Sequence, residues 1–96
     1  MSKSQVLPKY VDVLGERIKI RVEPLDDNHG QFDREKMIIT IDEDQTLDEI
    51  YSAYLHEVLH AAFWISGLSF LLGDKLEEAI VRMLERVLIK VITKIK

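Results

Sequence analysis

The stretch from Thr46 to Gly67, TLDEIYSAYLHEVLHAAFWISG in one-letter code, decides how the rest of the chain is read. Thr46 followed three residues later by Glu49 is a capping box, in which each side chain satisfies a backbone N–H of the other residue. It predicts a helix that starts at Leu47, and acidic residues in the first turn suit the positive end of the helix dipole. Gly67 is the predicted stop, since glycine takes the left-handed conformation that ends helices without a steric penalty. The first half of the segment is amphipathic through Leu47, Ile50, Tyr51 and Tyr54. Val58 to Ile65 is apolar on nearly every side apart from His60, the pattern of a helix buried between two layers.

Polar groups buried without partners cost roughly 1–3 kcal/mol each, so the histidines of such a helix call for an explanation. His56 and His60 lie four residues apart and leave the same helix face one turn apart. That spacing lets two ring nitrogens converge on one metal ion at roughly 2.0–2.1 Å each. Glu57, one step round, is poorly placed as a ligand but well placed to take a proton from a water on that ion. His56-Glu57-Val58-Leu59-His60 is the H-E-x-x-H arrangement of zinc peptidases.

Composition narrows the alternatives. With 96 residues, 47% hydrophobic and 31% charged, the chain is expected to form a single domain, residues 1–96, near the lower size limit for independent folding. A net charge of −4 gives no reason to expect nucleic-acid binding. No cysteine is present, which rules out disulfides and thiolate metal sites and leaves His, Asp and Glu as ligands. Met1 to Pro8 shows no apolar signal-peptide core, and the uncharged run from Ala61 to Gly73 is shorter than the ~20 residues a span requires. The expectation is a soluble, cytoplasmic protein with no membrane span.

Upstream of the helix, Tyr10–Leu14 and Arg17–Glu23 alternate around Gly15-Glu16 and predict a hairpin, ended by Pro24. Gln31–Asp33 reads as a short strand leading to Lys36–Ile41, the most β-prone run in the chain. His29, beside Gly30 in an acidic turn, reads as a solvated loop residue rather than a ligand. Downstream, Leu68–Leu72 reads as an apolar connector, and Lys75 to about Ile95 as a second helix. Its main apolar stripe is Leu76, Ile80, Met83, Leu84, Val87 and Val91, and Lys90, Lys94 and Lys96 collect at its C-terminal end. The fold class is therefore α+β: a small, mainly antiparallel sheet of three or four strands on a central helix and a long C-terminal helix.

A catalytic zinc usually takes three protein ligands and keeps a fourth position for water. The candidates after the motif are Asp74, Glu77, Glu78 and Glu85. Glu77 projects beside Ile80, Leu84 and Leu88, and a carboxylate among apolar residues is costly unless paired or metal-bound. Glu77 is the favoured third ligand on this ground. Glu78 is the alternative, and a third reading makes Glu77 a cap of the second helix within Asp74-Lys75-Leu76-Glu77.

With the motif helix and Glu77-Glu78-Ala79-Ile80-Val81 after it, the sequence resembles the gluzincin group of zinc peptidases, and most of all their minimal soluble prokaryotic forms, the minigluzincins. The resemblance implies a minimal zincin-like fold, zinc on His56, His60 and Glu77, Glu57 as general base, and hydrolysis of peptide or unfolded protein substrates. It further implies that the Met37–Ile41 strand, with Ile39 and Ile41, holds substrate as an added β-strand. The group often carries an acid four residues after the ligand glutamate to orient a histidine; here that position is Val81, and Asp74 or Glu85 is left to substitute. Tyr51, Tyr54 and Arg82 are the candidates for stabilising an oxyanion.

The competing expectation is a latent or non-catalytic module in which zinc is structural. Val81, Ile89, Ile92 and Ile95 widen the apolar surface of the C-terminal helix beyond one contact face. That excess points to a homodimer through this helix or to a helix end that folds over the cleft and holds the enzyme as a zymogen; the equal alternative is that the sheet and the two helices consume this surface internally.

Overall fold

The computed structural model describes residues 6–95, with side chains through Ile92. Lys96, and the side chains of Lys94 and Ile95 named above, lie outside the described residues. The elements are strands β1 (Tyr10–Val13), β2 (Glu16–Glu23), β3 (Gly30–Asp33) and β4 (Ile38–Asp42), then helices α1 (Leu47–Ser66), α2 (Leu68–Leu72) and α3 (Asp74–Ile95). This is the expected α+β architecture.

The strands form one sheet in the order β1-β2-β4-β3. β1 pairs antiparallel with β2, and β3 antiparallel with β4, but β2 and β4 run parallel, with Ile20 opposite Ile39. The sheet is thus mixed, because the chain crosses from β2 to the far edge as β3 and returns through a hairpin into the centre. Alternation puts Ile18 and Ile20 of β2 on the inner face and Arg17, Lys19 and Arg21 on the solvent face. Ile39 and Ile41 join them in the core, where α1 covers the sheet with Ile50, Ala53 and Ala61.

The central place of β4 overturns its expected role in holding substrate. It is paired on both sides, and Ile39 and Ile41 are fully buried, so no further strand can add to it. The edge strand is β3. The carbonyl of His29 accepts from the N–H of Asp42 at 2.9 Å, so the hydrogen-bonded pairs of this ladder continue through Gln31/Thr40 and Asp33/Ile38. Gly30 and Phe32 therefore direct their backbone N–H and C=O groups outward along the free edge.

The capping box of α1 forms in full, with Thr46 Oγ1 accepting from the N–H of Glu49 and Glu49 Oε1 accepting from the N–H of Thr46. Gly67 ends the helix in the left-handed region at φ 83°. The following apolar segment is a short helix, not an irregular connector; Gly73, at φ 77°, closes it. The second half of α1 is less enclosed than its composition suggests: Ala61 is buried, whereas Phe63, Trp64 and Ile65 are half-buried.

The larger revision concerns α3. Val81, expected at the surface, is completely buried, while Leu76, Met83, Val87 and Val91 of the expected inner stripe are exposed. The helix is rotated by the hydrogen bonds its glutamates make to the histidines of α1, described next. Satisfying three inward carboxylates outweighs burying a few more aliphatic side chains.

Candidate metal centre

α1 and α3 pack side by side, and the capped start of α1 sets the face that its histidines present. The rings of His56 and His60 stand edge to face with centroids 4.8 Å apart. Opposite them, Glu78 Oε1 lies 3.0 Å from His56 Nε2 and 3.1 Å from His60 Nε2. Ligand atoms of these three residues fall within 4.8 Å of one another. Two ligands of a tetrahedral zinc, each at about 2.05 Å, stand roughly 3.4 Å apart, so small side-chain shifts open this triad around an ion.

The remaining ring nitrogens complete the geometry. His56 Nδ1 donates to Glu85 Oε1 at 2.7 Å, and Ser52 donates its hydroxyl to Glu85 Oε2 at 2.6 Å. His60 Nδ1 donates to Glu77 Oε2 at 2.6 Å, and Ser69 donates to Glu77 Oε1. Each Nδ1 is thereby anchored on a carboxylate and each Nε2 is turned to the centre, where a cation would take the place of the proton shared with Glu78. The donor set fits a divalent cation: two imidazole nitrogens, one carboxylate, and an anchored orientation for each ring.

Glu78 thus stands where the sequence favoured Glu77. One residue is roughly 100° of helix, and Glu77 uses that turn to brace His60 from behind. With Glu78 in the cluster the position four residues on is Arg82, no acid either, and Glu85 supplies the orienting carboxylate, while Val81 is packed in the interior. Ser52 and Ser69 carry no signal in the sequence beyond spacing: Ser52 precedes His56 by one turn, and Ser69 lies on α2.

Glu57 lines a cleft of about 560 Å³ together with His56, His60, Glu78, Arg82 and Gly30. A smaller recess of about 230 Å³, walled by Phe32, Arg34 and Trp64, meets Glu57 and His60 from the other side. β3 runs from one to the other, Gly30 at the first and Phe32 at the second. Gly30 leaves room there: a Cβ would come 3.0 Å from Ile41 Cδ1 and 3.2 Å from Glu57 Cγ, so both side chains would have to shift.

Burial raises the pKa of Glu57, and the charges of Glu78 and Glu85 add to this against the lowering influence of His56 and His60. His60 behaves differently. Burial opposes its charge, but hydrogen bonds to Glu77 and Glu78, with the fields of Glu57 and Glu78, leave its pKa raised.

His29 is not part of the metal cluster. It borders the cleft and donates from Nδ1 to Gln45 Oε1 at 2.6 Å, tying the β2–β3 loop to the start of α1. Of the three oxyanion candidates, Arg82 lines the cleft, while Tyr54 packs on the core and Tyr51 borders a separate recess with Ile89. α3 runs unbroken to Ile95, and no described residue after Glu85 lines the cleft, so the described helix end does not fold over it. Among the described residues no helix is long and apolar enough to cross a membrane. No protein-family model matches this chain, and no curated protein is significantly similar to it.

Proposed function

We propose that this chain is a metal-dependent peptidase of the gluzincin type, with zinc held by His56, His60 and Glu78. The observation that carries this reading is the convergence of Glu78 and both Nε2 atoms beside Glu57, in a cleft bordered by the free edge of β3. A bound zinc ion would supply Lewis acidity, polarising a substrate carbonyl and acidifying a water. Glu57 takes a proton from the attacking water and returns it to the leaving nitrogen, a task that its raised pKa suits. Gly30 and Phe32 receive an extended peptide by backbone pairing, which demands little of its sequence. Arg82, whose Nε lies 3.9 Å from Glu78, lines the cleft and supplies positive charge toward the developing oxyanion. Glu77 and Glu85 keep both rings aligned throughout.

The test is metal content of the purified protein together with hydrolysis of an unstructured polypeptide. Wild type is expected to bind one ion and cut; Glu57→Gln is expected to bind the ion and not cut. A stoichiometrically loaded wild type that cuts no unstructured chain would favour the second reading, a zinc-stabilised interaction module. The broad exposed apolar face of α3 supports that alternative.

A further inference from the structure

The outward face of α3 combines two chemistries in register. Leu76, Met83, Val87 and Val91 are each about half exposed, at 51, 53, 54 and 53%. At roughly 100° per residue they form one stripe with the half-buried Ile80, and its length is about 22 Å at ~1.5 Å per residue. Each of the four exposed members is immediately preceded in sequence by a cation, Lys75, Arg82, Arg86 and Lys90; Arg82 borders the metal cleft beside Glu78, and Lys75, Arg86 and Lys90 face away from it. The cations therefore form a second row along one flank of the stripe. Glu77, Glu78 and Glu85 are turned to the histidines, and Asp74 is the one acid of α3 among the described residues without such a partner on α1. In a chain of net charge −4, this face is basic.

On α2, Phe70 and Leu71 are the most exposed large apolar residues of the described chain, at 79 and 81%. Gly67 and Gly73, both at positive φ, bracket the short helix that presents them.

From the apolar stripe and the cation row beside it we infer that the outer face of α3 docks on an anionic lipid bilayer surface, and that the exposed Phe70 and Leu71 of α2 enter it as well. The apolar stripe enters the interface, and the long cationic side chains reach the headgroups beside it. A nucleic acid would match the cation row but leave the stripe without a partner. A second copy paired antiparallel along the stripe would set the two cation rows against each other, at a cost in like-charge repulsion. An anionic bilayer satisfies both rows at once, and it is reached without a membrane-spanning helix.

The experiment is flotation of the full chain with vesicles of phosphatidylcholine alone and of phosphatidylcholine with phosphatidylglycerol, at about 0.1 M and about 1 M salt, where screening is weak and strong respectively. Binding is expected to the anionic vesicles at low salt only. Lys75→Gln with Arg86→Gln, both outside the metal centre, should weaken it about twenty-five-fold, each cation near an anionic surface being worth about fivefold. Met83→Asp with Val87→Asp should abolish it, while metal stoichiometry and helical circular dichroism remain those of wild type. Should the apolar pair misfold, the charge pair still decides. The inference is overturned by absence of binding to anionic vesicles, by equal binding to neutral ones, or by indifference to the charge pair. It is equally overturned if wild type sediments as a dimer that Met83→Asp with Val87→Asp dissociates, since a second copy then covers the stripe. None of these outcomes depends on peptidase activity.

Discussion

Replacing Glu78 and Glu77 in turn by glutamine separates the proposed metal ligand from the residue proposed to brace one. Glu78 Oε1 lies 3.0 and 3.1 Å from the two Nε2 atoms and contributes the only formal negative charge of the triad. The Glu78→Gln change would leave a divalent cation facing two neutral imidazoles and an amide. Glu77 faces His60 from behind, through Nδ1 at 2.6 Å, and after Glu77→Gln the amide oxygen can still accept that hydrogen bond. Partners of this kind are typically worth about 10–100-fold in metal affinity, and retention of the bond places Glu77→Gln near the lower end, at about tenfold. Glu78→Gln is expected to exceed the roughly hundredfold limit of that range. The assay is competition for zinc between metal-free protein and a chromogenic chelator at fixed pH, with circular dichroism to confirm that both variants fold. A larger loss of affinity for Glu77→Gln than for Glu78→Gln would refute the assignment.

Glu85→Gln removes charge behind His56 and should likewise reduce zinc affinity by about tenfold, read in the same competition assay. Gly30→Ala forces Ile41 and Glu57 apart and should lower stability by about 1 kcal/mol in denaturant titration. Because it displaces Glu57, the same change should slow hydrolysis by about tenfold to a hundredfold with zinc affinity preserved. The metal-free protein should lose stability as pH rises. His60 has a raised pKa in the fold, so its contribution is complete below the ordinary imidazole value and disappears as pH passes the raised one. The raised pKa of Glu57 acts in the same direction, since its ionised form is the one burial penalises. Cation binding competes with these protons, so thermal melts with and without zinc should diverge between about pH 5 and pH 8; convergence with rising pH would contradict this account.

Much of the fold is legible in the sequence because its signals are local. Thr46 and Glu49 sit three residues apart, Gly67 terminates the apolar run, and Ile18, Ile20 and Val22 alternate with charges, so each pattern contains its own evidence. His56, Glu57 and His60 are legible for the same reason. The parallel pairing of β2 with β4 is not, since nothing in either strand records which neighbour arrives between β2 and β3. Glu78 escapes the sequence for a more instructive reason. The strongest apolar stripe of α3 suggests one inward face, yet the helix is oriented by Glu77, Glu78 and Glu85 bonding across to α1. A hydrophobic pattern identifies a buried face only where burial is what sets the rotation.

The strand order β1-β2-β4-β3 has a consequence for how the protein is made. Every strand, including central β4, lies before Thr46, and every residue that would touch a metal lies after it. A ribosome releases the whole sheet before either histidine emerges. Until Ile50, Ala53 and Ala61 follow, the inner face of that sheet has no cover, and this interval is when the nascent chain is most prone to stick to other chains. The two halves of the sequence thus divide the labour, the first half building a platform that chemistry later occupies. Variation in the second half can then alter the candidate metal centre while the strands beneath it are left intact.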